Sequence, residues 1–196
     1  MDPVVVHQIA GGGILAFTLL LLARALGRLS GGWSGLLLPI ALVTLGLFLI
    51  FDNVLFHGGD FGAEGVQHQI QGAVALGIGA IELGRARGWL VQRLWGAILP
   101  MGIIAVGIMF VLHDQHGGGD MQLQLVQHRI LGATIVFMGA VQGIDNLKLA
   151  QGNWAAVGWL LLLVVVCLEL FLYVEGGTGS GQGGHEMLKP MEHGGH

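Results

Sequence analysis

The sequence predicts an all-α integral membrane protein of six transmembrane helices, arranged as three repeated helical hairpins with both termini outside. Three observations predict it. Apolar residues make up 54% of the 196 residues and charged residues only 10%, with a mean hydropathy of +0.75, where a soluble domain carries roughly a quarter charged residues. The apolar residues fall in long runs, such as "WSGLLLPIALVTLGLFLIF" and "WAAVGWLLLLVVVCL", and about 18 such residues cross a bilayer core. The chain also repeats itself. "HQIAG" at His7, "HQIQG" at His68 and "HRILG" at His128 share H-x-I-x-G, 61 and 60 residues apart, and a fixed period is the signature of a repeated architecture.

The six apolar segments cover residues 9–26, 36–56, 66–84, 95–112, 130–147 and 154–173. The first, third and fifth open on the H-x-I-x-G motif, and the others return. The first two returns close alike, in "HGGD" at residues 57–60 and "HGGGD" at 116–120, and the third in "YVEGG" at 173–177. The third segment is the most glycine-rich and reaches Glu82, three residues before Arg85, a spacing that allows an ion pair on one helix face. The domain reading is a six-helix transmembrane unit over residues 1–175, with repeats of about 1–60, 61–120 and 121–175, followed by a flexible Gly-rich tail at 176–196. All copies run the same way, so an internal axis is expected along the membrane normal. The 36 glycines suit close helix approach in lipid, and Gly11, Gly72 and Gly132 read as helix-contact residues.

Charge sets the orientation. Arg24, Arg28, Arg85, Arg87, Arg93 and Lys148 fall in the loops joining segments one to two, three to four and five to six, and only Arg129 and Lys189 fall on the other side. The positive-inside rule puts those three loops in the cytoplasm. Trp33, Trp89, Trp95 and Trp154 sit at the same edge, as an aromatic belt does. The expected location is a bacterial inner membrane with extracytoplasmic termini. "MDPVVVHQ" lacks a basic n-region, so no classical signal peptide is expected. Cys167 stands alone within a run and reads as a packed core residue. A net charge of −4 without a basic cluster argues against nucleic acid.

All nine histidines then lie on the outer side. His7, His68 and His128 open segments, His57, His113 and His116 close them, and His185, His193 and His196 lie in the tail. Imidazole is the commonest metal ligand, and helix N-termini favour its neutral, ligating form. If the three hairpins pack round an axis, His7, His68 and His128 become equivalent and converge on one ion. His113 and His116 stand at i, i+3 with Asp114 between them. Glu169 lies within an apolar run, which makes it a functional candidate, and Glu175 lies beside it at the rim. Asp52 is a candidate on the same ground, with snorkelling an equal explanation so near the boundary, and Tyr173 reads as an interface anchor. The tail offers His185, Met187, Met191, His193 and His196, and thioether beside imidazole leans to copper. The plainer readings are interfacial histidines that bind nothing and an inert soluble tail.

On its tail and rim the chain resembles bacterial copper-handling membrane proteins of the CopD copper-resistance type, which combine several spans with outward-facing His and Met. The leading expectation is a membrane protein that binds a transition metal, copper first and zinc second, at its extracytoplasmic face, for uptake, resistance or delivery. Its partners would be the metal, the bilayer, and another membrane protein or a periplasmic metal carrier. A second reading is a redox protein holding haem b near the outer face, with quinol chemistry. A third is an accessory subunit of a larger membrane complex. A metal-dependent membrane oxygenase is a variant for which no substrate is indicated. Hydrolase and phosphate-loop motifs are absent from the sequence.

Overall fold

The computed structural model describes residues 3–56, 63–112 and 121–173. The described residues form six α-helices and no strand: α1 (Pro3–Ala25), α2 (Leu37–Phe56), α3 (Ala63–Ala86), α4 (Ile98–Leu112), α5 (Met121–Asn146) and α6 (Trp154–Phe171). Short 3-10 helices at Gly32–Leu36 and Arg93–Ala97 lead into α2 and α4. All six predicted segments are helical, but hydropathy marked their polar ends poorly. α5 begins nine residues before the expected boundary, because "MQLQLVQ" is too polar to read as membrane yet is built of good helix formers. Four helical stretches, Val4–Ala25, Gly32–Asp52, Arg93–Leu112 and Trp154–Phe171, are long and apolar enough to cross a membrane. α3 and α5 are the more polar pair, carrying Gln71 and Glu82, and Gln142 and Asp145.

The burial pattern is that of a protein in an apolar solvent. Asp52, Gln71, Glu82 and Gln142 are buried, while Leu19, Ile40, Leu47, Ile70, Met101, Phe137 and Leu161 are exposed. In water that distribution would be strongly unfavourable, and in lipid it places the polar groups away from hydrocarbon. The apolar core runs through Leu21, Leu131, Ile135, Met138, Trp159 and Leu160.

Each helix packs on its chain neighbours, and α1 also packs on α6, so the order closes on itself. The closest packing is α2 on α3 and α4 on α5, across the predicted repeat boundaries rather than within the predicted hairpins. Glycine explains it. A methyl added at Gly72 would lie 2.7 Å from the Gly46 carbonyl oxygen, and one at Gly132 would lie 2.7 Å from that of Gly107. Ile50 crowds Gly72 as Val111 crowds Gly132, and Val43 crowds Gly79 as Ile104 crowds Gly139. The two pairs therefore share one interface at an offset of 60 or 61 residues. In the same register, Gly11 of α1 faces the Cys167 carbonyl oxygen and Phe171 of α6, with more room, at 3.4 and 3.7 Å. Cys167 and Thr18 stand there where the other pairs have glycine, and both are fully buried.

The other helix ends are tied by hydrogen bonds and ion pairs. Arg85 Nη1 donates to Glu82 Oε1 at 2.6 Å, the pair expected from their spacing. Asn146 Nδ2 donates to the Gly96 carbonyl at 3.0 Å, and Arg93 Nη2 donates to the Leu147 carbonyl. These bonds pin the start of α4 to the end of α5.

Candidate functional site

Two of the three H-x-I-x-G histidines meet at one end of the bundle. α6 packs against both α1 and α5, and Tyr173, just past its end, reaches a histidine of each. The Tyr173 ring stacks on His7 with centroids 4.1 Å apart and planes 16° apart. It meets His128 edge-on, at 5.9 Å and 90°. Phe110 of α4 lies 5.8 Å from His128 on a tilted plane. Tyr173 is therefore more than an interface anchor, since it joins the two imidazoles.

Beneath these rings lies a pocket of about 150 Å³ whose lining includes His7, Gln127, His128, Glu169 and Tyr173. That is room for water, which needs about 10–15 Å³ of such space. Glu169 enters it from α6. Glu169 Oε1 accepts a hydrogen bond from Thr134 Oγ1 at 2.8 Å, and the same hydroxyl lies 3.0 Å from the Ile130 carbonyl oxygen. Glu169 Oε2 is buried and has no hydrogen-bond partner among the described residues. A buried carboxylate oxygen left in that state is costly, and Glu169 is the acid among the residues that line the pocket.

His68 is placed differently. It is not among the pocket-lining residues, and its Nδ1 lies 2.8 Å from Oδ2 of Asp52 on α2. From the sequence Asp52 read equally as a functional acid and as a snorkelling side chain, and the structure leaves it 1% exposed and facing an imidazole. The signal was in the repeat. Residues 52, 113 and 173 are equivalent in the register that relates His68, His128 and His7, so position 52 faces His68 as Tyr173 faces His7. Thr134 and Gln127 gave no signal in the sequence.

The histidines also sit deeper than expected. α3 starts at Ala63 and α5 at Met121, so His68 and His128 lie one to two turns inside. The helix-terminal field falls off within the first turn, so these two imidazoles lie beyond most of it. Among the described residues, no group of three or more His, Cys, Asp or Glu could hold a metal ion, so His7, His68 and His128 do not converge on one centre. His57, His113, His116, Asp114, Glu175, His185, Met187, Met191, His193 and His196 lie outside the described residues.

No protein-family model, curated protein or solved structure matches the chain. Nothing in these comparisons links the chain to CopD-type proteins.

Proposed function

We propose that this is a six-span bacterial inner-membrane protein, built as three repeated hairpins with extracytoplasmic termini, that binds copper at its outer end. The observation that carries the reading is one pocket lined by two imidazoles and by Glu169, a buried acid with one of its carboxylate oxygens bonded to Thr134. His7 and His128 would ligate the ion. The remaining volume admits water in its other positions, and Glu169 would balance charge through that water rather than by a direct bond. Nitrogen ligands suit copper and zinc alike, and the Met187 and Met191 thioethers of the tail favour copper. The tail histidines His185, His193 and His196 would capture the ion and pass it to the pocket. A surface site of this kind serves uptake, resistance or delivery to a membrane or periplasmic partner, and requires no path through the bilayer.

The test is metal content and an absorption spectrum on protein purified in mild detergent, with and without residues 176–196. Stoichiometric copper that survives tail removal supports the reading. Copper that leaves with the tail makes the tail the binding element and overturns the pocket assignment. A Soret band would replace it with haem b, and no metal after reconstitution would favour an accessory subunit.

A further inference from the structure

A groove of about 360 Å³ between α5 and α6 shares no lining residue with the His7–His128 pocket, and the copper reading does not use it. Its lining includes Phe137 and Val141 of α5 and Trp154, Gly158, Leu161 and Val165 of α6. These are apolar residues and a glycine, and the volume falls in the range of about 300–1,000 Å³ that holds small ligands. Phe137, Trp154, Leu161 and Val165 are exposed, so the groove opens onto the hydrocarbon around the bundle. Gly158 leaves the room. A methyl there would meet only Val141 Cγ1, at 3.5 Å, whereas a bulky side chain would fill the groove.

The groove has the length of one leaflet. Its α6 residues run from Trp154 to Val165, about 16 Å of helix at 1.5 Å per residue. Half of a bilayer core is about 15 Å. Trp154 starts α6, so the groove begins at the basic end of the bundle, where α1, α3 and α5 finish. That end also supplies charge. Phe137, Val141 and Asp145 follow at four-residue steps and share a face of α5. Lys148 Nζ lies 3.1 Å from Asp145 Oδ1, which puts its ammonium at the end of that face, on a side chain 78% exposed. Arg93 reaches the same helix end through its bond to the Leu147 carbonyl. Two cations against the Asp145 carboxylate leave net positive charge at headgroup level, where anionic lipid is attracted. A second copy packed here about a twofold axis would instead set these like charges together.

We propose that the groove holds one acyl chain of an anionic phospholipid, with its phosphate against Lys148 and Arg93. The inference rests on the placement of the bundle in a membrane and not on copper.

The experiment is native mass spectrometry of the full-length protein in mild detergent, titrated separately with phosphatidylglycerol and phosphatidylcholine of the same chains. The expected result is one phosphatidylglycerol on the monomer, held about fivefold more tightly than phosphatidylcholine. Lys148→Gly relieves a left-handed residue and is expected to fold. It should remove most of that preference. Gly158→Phe should abolish retention of the single lipid of either kind. Its thermal midpoint reports whether it folds, and if it does not, Lys148→Gly decides the proposal. Equal affinity for the two lipids overturns the proposal. So does a preference unchanged in Lys148→Gly, or a lipid that a folded Gly158→Phe variant still retains. A lipid-free dimer that Gly158→Phe dissociates would make this face an interface between copies, and also overturns it.

Discussion

Single atoms decide the closest contacts of this fold. At Gly132 a methyl would lie 2.7 Å from a backbone oxygen of α4, which cannot move aside without displacing the helix. Gly132→Val should cost about 1–3 kcal/mol, the range for overpacking, read as a lowered thermal midpoint in detergent. Gly13 has no atom within 4 Å of its added methyl, so Gly13→Ala should hold the stability or raise it by about 0.5–1 kcal/mol, read as an unchanged or higher midpoint. Equal losses in both would show that steric approach is not what these glycines serve. Gly11, Gly72 and Gly132 were legible as contact residues because small residues recur at one place in each repeat. Glu169 was legible because an acid in an apolar run has few bland explanations. Asp52 was not, since only three-dimensional pairing separates a buried acid from one reaching for headgroups. Thr134→Val removes the donor to Glu169 Oε1 and leaves both carboxylate oxygens without that bond. It should destabilise the protein by about 1–3 kcal/mol, measured by thermal unfolding in detergent.

At the scale of elements the repeat is written into the helix ends. α1, α3 and α5 each terminate in a left-handed residue at an equivalent position: Gly27 (φ 72°), Gly88 (φ 73°) and Lys148 (φ 50°). Each end closes with the same two backbone bonds, for example Gly27 N–H to the Arg24 carbonyl and Arg28 N–H to the Ala23 carbonyl, the Schellman arrangement. Lysine in that conformation costs about 1–2 kcal/mol. Its ion pair with Asp145 at 3.1 Å involves a side chain 78% exposed, and such pairs contribute little. Lys148→Gly should therefore raise the thermal midpoint, and a fall would mean that the ion pair outweighs backbone strain. Asn146→Ala would strip the donor from the buried Gly96 carbonyl and should destabilise the protein by about 1–3 kcal/mol, read as a lowered midpoint. Helix positions were legible from apolar runs and boundaries were not. The polar starts of α3 and α5 carry Gln and His that hydropathy excludes but helix geometry accepts.

For the whole molecule, exposed apolar side chains and buried Asp, Glu and Gln put it in a membrane, as composition alone indicated. The 60–61-residue period led to an expectation of three hairpins, whereas the tight pairs are α2 with α3 and α4 with α5. The sequence could not show that the tight pairs straddle the predicted repeat boundaries, with α1 and α6 meeting as the third and looser pair. Nor did equivalence bring the histidines to one point. His68 is drawn to Asp52, while Tyr173 gathers His7 and His128. The central claim is that these last two imidazoles bind copper together. X-ray absorption at the copper edge tests it most directly, on protein ending at residue 175, with His7→Ala and His128→Ala compared with the parent. The account predicts two imidazole nitrogens at copper in the parent and one in either variant. A copper environment unchanged in both variants would contradict it.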